Sequence, residues 1–413
     1  MLVGPWCNQP EEYPGYNGFV GWPGAACLRS GRWLVSFTSG YWHGSLPCSD
    51  EMMEDPYFKT EFKKRRARYC QVDLRAPRGG RAHLIHSDDQ GKTWSKPETI
   101  VDTDCDDRSP CLLELDDGTL MCSMFCCRLR HASEQSTWPG KPHKYDSMYV
   151  TYTKYTLSTD GGKTWSELKT GYDADDAVQS STSRAIQLAD GSIVWLISGR
   201  HDPNHHERIA TGVYRSKDRA GTFNLASFIS TDHELWEPTV AQLPSGRLVM
   251  LARRAGDINF SDDGGRTWTN CVTFGTEMFN SQLLLLPNGV LACFHGSSQK
   301  FGLRAILSKD GGLTWHGPDD TYGYSVDPDA YGYSAPMLLS DGTVYIAYNH
   351  TSGIYPADAR TAAIWGMRVK VHDGADGIEV LPAPGSMADR GDSTTGLGYI
   401  DSRSIDPSPG DQE

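Results

Sequence analysis

The sequence lacks most of the features that would place it at once. Its eleven cysteines are an odd number with no C-x-x-C pair, and Cys126 and Cys127 are adjacent. That spacing supports neither a disulfide framework nor a zinc site, so mostly buried free thiols are expected, with no metal and no cofactor. Positive charge is scarce: 39 Lys and Arg stand against 52 Asp and Glu, a net charge of −13. A surface field of that sign repels polyanions, so nucleic acid and anionic membranes are not expected partners, although a local basic pocket is compatible with it. No apolar run is long enough to cross a bilayer, and the opening MLVGPWCNQP has neither a basic n-region nor an apolar h-region. A soluble chain is expected, with cytoplasm and secretion after signal-peptide removal both open. At 413 residues and 38% hydrophobic, length alone allows two ordinary domains or one large β architecture.

What is present is repetition. The pattern S-x-D-x-G-x-x-W occurs four times, in HSDDQGKTW ending at Trp94, LSTDGGKTW at Trp165, FSDDGGRTW at Trp268 and LSKDGGLTW at Trp315. A degraded copy, SKDRAGTF, runs from Ser216 to Phe223. A second pattern, two apolar strands joined by a tight turn with glycine, occurs six times, around Gly31, Gly118, Gly191, Gly246, Gly289 and Gly342. Such turns need a positive φ, which glycine adopts readily, so each copy reads as a β-hairpin. The two patterns alternate, so each unit holds an inner hairpin and then an outer one closed by the box. The sixth unit closes on HDGADG instead. Six four-stranded antiparallel units arranged radially make an all-β, six-bladed β-propeller, which leaves only short, protected sheet edges. The boxes are expected to be staples: the Asp caps turn N–H groups, the Gly permits the left-handed turn and the Trp packs between sheets. The expected organisation is one propeller over residues 1–384, with an enlarged first-blade loop at 41–68, and a polar tail or strap over 385–413.

In a propeller the opening residues of each first strand converge at one face. Counting nine residues back from each hairpin glycine gives Trp22, Ser109, Thr182, Glu237, Asn280 and Tyr333. The ends of the second strands bring Arg200-His201, Arg253-Arg254 and Asn349-His350 to the same mouth. A carboxylate such as Glu237 at a converging strand start needs a partner there.

The boxes in phase with six hairpins, from about Trp22 to Leu381, resemble the sialidase (neuraminidase) superfamily, whose six-bladed propellers carry these Asp-box, or BNR, repeats. WEPTVAQLPSGRLVMLARR matches that family's fourth blade and YGYSAPMLLSDGTVY its sixth. The resemblance implies a glycosidase acting on a carbohydrate, with Tyr333 as nucleophile, Glu237 as its base and Arg253 on the substrate carboxylate. A neutral phenol suits an anomeric carbon that bears a carboxylate, because an anionic nucleophile would be repelled.

Two features depart from the family. Its three arginines grip a planar carboxylate in bidentate fashion, but the first is replaced in Gly21-Trp22-Pro23, and the third position holds Lys300, with Arg304 nearby. In the second blade, Arg108, Pro110 and Gly118 reproduce the missing first-blade spacing, so Arg108 is either a replacement in the pocket or the ion-pair partner of Asp106 or Asp107. The family's general acid, an Asp of the first-blade loop, has Asp50 and His43 as candidates, beside Glu51, Glu54 and Asp55. Arg200, Trp22 and Asn280 complete the expected substrate-binding set. The histidines of GRHDPNHHERIA have no preset ligand geometry and are read as sugar-contacting or surface groups. The leading expectation is an exo-acting sialidase-like hydrolase. A different glycosidase or a uronate polysaccharide lyase, and a non-catalytic glycan-binding propeller, are the alternatives.

Overall fold

A computed structural model describes residues 1–4, 19–40, 44–47, 54, 56, 72–73, 78–129, 149–172, 184–205, 207–253, 255–275, 278–297, 302–318, 323–330, 332–349 and 363–386. His43, Asp50, Lys300, Thr182, nearly all of the 41–68 loop and the tail from 387 onward lie outside these residues.

Twenty-four strands form six four-stranded antiparallel sheets, each built from strands consecutive within its sheet order. The first strands, from blade 1 to blade 6, are Phe19–Cys27, Asp106–Glu114, Ile186–Gln187, Trp236–Gln242, Phe279–Leu285 and Ser334–Leu338. Each turns into its second strand at one of the six expected glycines, whose φ values lie between 78° and 89°. The molecule is the expected all-β, six-bladed propeller. A small parallel pair, Gly44–Ser45 with Val72–Asp73, stands outside the blades.

Burial is organised between sheets. Six apolar clusters fill the six blade interfaces, because each sheet offers both faces to its neighbours. The box aromatics Trp94, Trp165, Phe223, Trp268 and Trp315 each pack into the interface with the preceding blade. Within a box, Ser261 Oγ donates to Asp263 and accepts from Gly265 N at 2.8 Å, while Asp263 accepts Arg266 N and Thr267 N, each at 2.9 Å. The boxes are therefore turn staples. The degraded box keeps three of these bonds, Ser216 Oγ to Asp218, Ala220 N to Ser216 and Thr222 N to Asp218, with Ala220 taking φ 60° where the others have glycine. In blade 6, Ala375 of the HDGADG turn, at φ 57°, fills the corresponding place against blade 5.

The ring is joined by its two ends. Val3 pairs with Ile364 in the third strand of blade 6, Ile364 N donating to Val3 O at 2.9 Å. No helix among the described residues is long and apolar enough to cross a membrane.

Candidate active site

The mouth is shaped by a repeated defect in the first strands. In blades 1, 2, 4 and 5 the pairing register slips between Gly21 and Gly24, Arg108 and Cys111, Trp236 and Thr239, and Phe279 and Gln282. Inside each slip one residue is left-handed: Trp22 at φ 50°, Ser109 at 52°, Glu237 at 44° and Asn280 at 48°. These are four of the six positions found by counting back from the hairpin glycines. A bulge of this kind re-aims a side chain out of the alternating pattern, at roughly 1–2 kcal/mol of backbone strain for a non-glycine residue.

Bonds between blades hold three of these bulges. The preceding blade supplies the acceptor for the bulge N–H: Asn349 Oδ1 for Trp22 at 2.8 Å, Thr38 Oγ1 for Ser109 at 3.0 Å, and Glu237 Oε2 for Asn280 at 2.7 Å. Glu237 is thus both a bulge residue and the staple of the next one.

The structure brings Glu237 and Tyr333 together across 96 residues of chain: Tyr333 Oη donates to Glu237 Oε1 at 2.8 Å. The Arg253 guanidinium donates to the same oxygen, also at 2.8 Å. Three donors therefore converge on a carboxylate that is only 7% exposed. Phe279 orients two of the partners, its ring lying 5.8 Å from the Tyr333 ring and 5.4 Å from the Arg253 guanidinium carbon. Asn349 N donates to Tyr333 O at 2.9 Å, and Asn280 Nδ2 donates to Ser334 O at 3.1 Å, so the nucleophile candidate is fixed from both sides.

Next to this group, Tyr333 packs on Phe19 and Trp22. The Arg108 guanidinium lies 4.1 Å from the Trp22 ring centroid and 5.3 Å from that of Phe125, positions that favour cation–π attraction. Its Nε is 3.5 Å from Asp106 Oδ2. Arg108 therefore stands at the mouth and in the ion pair at once. Asp106 is buried and also accepts Ser45 N and Gly80 N; burial pushes it up to about 7, against the pull of Arg108 and those two N–H groups.

Arg304 is buried and donates to Gly323 O at 3.1 Å within its own blade, beside a register slip between Leu303 and Arg304. Arg200 is half-buried just beyond the second strand of blade 3. His201 is buried behind that strand end, donating from Nε2 to Ile197 O at 2.9 Å with Tyr214 Oη 3.4 Å from Nδ1; burial lowers it to about 4. His205 is exposed and pairs with Glu207 at 3.2 Å. Among the described residues no three His, Cys, Asp or Glu side chains converge as metal ligands. Phe19 and Phe279 are mouth residues that the nine-residue spacing does not reach, although each stands within three residues of a position that it does and is large and apolar.

Comparison with known proteins agrees with this architecture. Similar solved structures include a protein of unknown function from Dyadobacter fermentans, 18% identical, with 86% of this chain and 96% of that one covered at a TM-score of 0.64. A Hadza microbial sialidase is 16% identical, with 85% and 66% covered at a TM-score of 0.57. The intramolecular trans-sialidase of Ruminococcus gnavus is 13% identical, with 86% and 95% covered at 0.56. Identities this low carry the fold alone. No curated protein matches the chain. Residues 86–346, more than half of the sequence, match the BNR repeat-like domain family, and the chain belongs to that family.

Proposed function

We propose that this protein is an exo-acting glycoside hydrolase of the sialidase superfamily that removes a terminal acidic sugar, with Tyr333 as nucleophile and Glu237 as its base. The observation that carries the reading is the 2.8 Å bond from the Tyr333 hydroxyl of blade 6 to the Glu237 carboxylate of blade 4. A phenol is a weak nucleophile until a base takes its proton, and this pair supplies that base within direct reach.

In the first step the Tyr333 oxygen bonds to the anomeric carbon as the glycosidic C–O bond breaks. The phenol proton passes to Glu237, and the departing oxygen takes a proton from the acid, for which His43 and Asp50 are the candidates. Water then displaces Tyr333 from the sugar. The acid residue accepts the proton of water, and Glu237 returns its own to the phenolate.

Arg253 and Tyr333 share Glu237 Oε1, and a substrate carboxylate is a second bidentate partner for the same guanidinium, so Arg253 can bridge the bound sugar to the base. Arg108, stacked on Trp22, is placed to add a second positive charge and Trp22 an apolar face for the sugar.

The test is release of an aryl leaving group from a panel of sialosides, uronides, rhamnosides and arabinosides, with wild type beside Tyr333→Phe. Release from sialosides, reduced at least about 100-fold in Tyr333→Phe, is the expected result. An ultraviolet-absorbing unsaturated product from uronides would identify a lyase. Binding without release from any member, unaffected by Tyr333→Phe, would leave a glycan-binding protein.

A further inference from the structure

Outside the Tyr333, Glu237 and Arg253 group, one histidine on the mouth side of blade 4 stands between two carboxylates. His233 lies in the connection from Asn224–Ile229, the fourth strand of blade 3, to Trp236–Gln242, the first strand of blade 4. Its Nδ1 is 2.7 Å from Asp232 Oδ1 and its Nε2 is 3.0 Å from Asp257 Oδ2. Asp257 opens the third strand of blade 4, Asp257–Ser261, and its side chain is fully buried. A neutral imidazole has one N–H, so only the doubly protonated ring donates to both carboxylates.

The surroundings favour that charge. Asp257 has no other ion pair among the described residues. Its second oxygen accepts the thiol of Cys271, just before the fourth strand, at 3.3 Å; burial pushes that thiol up to about 12, so it is a neutral donor. Asp232 is almost fully exposed, so water screens its bond and Asp257 is the partner that counts. The other charged groups around the ring are Glu234 on the same connection and Arg208 of blade 3, which donates to Thr231 O at 2.7 Å and pairs with Glu207. Partial burial weakens the ring's hold on its proton, but the hydrogen bonds and charges of Asp232 and Asp257 outweigh it and raise the histidine above its ordinary 6.5.

The connection leads straight to the site. Thr231 Oγ1 donates to His233 O at 2.7 Å, and Leu235 N donates to Ile209 O at 2.9 Å. The carboxylate next in sequence, Glu234, accepts Trp236 Nε1 at 3.0 Å. Trp236 pairs with Arg253 and is the last paired residue before the slip that holds Glu237 left-handed. We infer that the His233 imidazolium is the positioning group of blade 4: by tying buried Asp257 to the connection it fixes Trp236, and through Trp236 the Glu237 bulge. The inference rests on the proposed role of Glu237. Loss of the proton leaves the buried Asp257 charge without a cation and loosens the connection. A histidine raised by folding contributes fully below pH 6.5, and its contribution is lost as pH rises through the folded value.

Imidazole and amide NMR of the full chain across pH tests the clamp without substrate. His233 should titrate above 6.5, and the protection factor of the Leu235 amide should fall across the same range by up to about tenfold per pH unit. In Asp257→Asn the ring should titrate near 6.5 and the Leu235 amide should lose that pH dependence; if this variant does not fold, the wild-type titration decides alone. The catalytic consequence is read as the kcat ratio of wild type to His233→Gln on the aryl glycoside found active, which cancels the other titrating groups. That ratio should be at least about tenfold near pH 6 and converge on one near pH 9, with KM unchanged. If no aryl glycoside is cleaved, the hydrolase reading fails and the NMR titration still decides the clamp. A His233 that titrates at or below 6.5, a Leu235 amide indifferent to its titration, or a kcat ratio constant with pH overturns the inference.

Discussion

Replacing Glu237 with glutamine should destabilise the protein, and the sign is diagnostic. Removing a catalytic carboxylate often relieves strain, yet here the carboxylate is where three donors meet. An amide offers one oxygen. If it stays toward Tyr333 and Arg253, its NH2 faces the buried Asn280 N–H, and if it turns, donors collide on the other side. Leaving that N–H without an acceptor costs about 1–3 kcal/mol. Arg253 is about a quarter exposed, so loss of its pair is discounted to about 1 kcal/mol. The left-handed backbone at 237 is common to both side chains and drops out. The expected loss is about 2–4 kcal/mol, read from the urea midpoint at unchanged slope. Tyr333→Phe, which leaves Arg253 on the same oxygen, should lose less than about 1.5 kcal/mol. In turnover the double variant should be no slower than the slower single, because in the proposed mechanism both residues serve one proton transfer. A Glu237→Gln protein as stable as wild type, or multiplicative kinetic losses, would refute the three-donor account.

Gly332 adopts φ 103°, and a Cβ there would strike the backbone of Gly296, so Gly332→Ala should displace Tyr333 and cut turnover on the order of 100-fold, measured on the aryl glycoside found active. Asp263→Ala should cost about 1–2 kcal/mol in urea unfolding through the lost turn N–H acceptors, with turnover unchanged, because the boxes stand away from the mouth. His201, held at about 4 against an ordinary 6.5, takes up fewer protons folded than unfolded between those values. Its contribution is full above pH 6.5 and is lost as pH falls toward 4, with a slope of up to about 1.4 kcal/mol per pH unit. Asp106, raised to about 7, and Asp107, raised to about 6, work in the opposite direction above about pH 4, while buried His83, lowered to about 3, works in the same direction as His201, so the total pH dependence mixes all four. Imidazole NMR isolates the histidine, whose ring should be neutral at pH 5; a charged ring at that pH contradicts the burial argument.

The architecture was readable because its signals are local. A hairpin glycine and a Ser-Asp-Gly-Trp turn carry their backbone chemistry within ten residues, and the six turns came out left-handed as expected. Counting back from those glycines also reached Glu237 and Tyr333, since strand length is set by the same sheet. The bulges were hidden, because Trp22, Ser109, Glu237 and Asn280 take a conformation that sequence associates with glycine. Their stabilising partners, Asn349 and Thr38, lie in neighbouring blades, and no spacing rule connects them. Arg253 was expected to face the substrate alone, whereas its bond to Glu237 depends on two side chains of one blade meeting across a register slip. The side-chain direction of Arg304 depends likewise on a slip that no composition reveals.

Joining the ends of the ring has a consequence for synthesis. A ribosome releases Trp22 and Glu237 long before Tyr333 and Asn349 exist, so a nascent chain lacks the hydroxyl that meets the carboxylate and the acceptor for the Trp22 amide. Until the last blade emerges, the outer faces of blades 1 and 5 are uncovered apolar surface. Prematurely terminated products therefore lack the Tyr333–Glu237 pair and expose apolar surface that favours association with other chains, a hazard that ends when Ile364 reaches Val3.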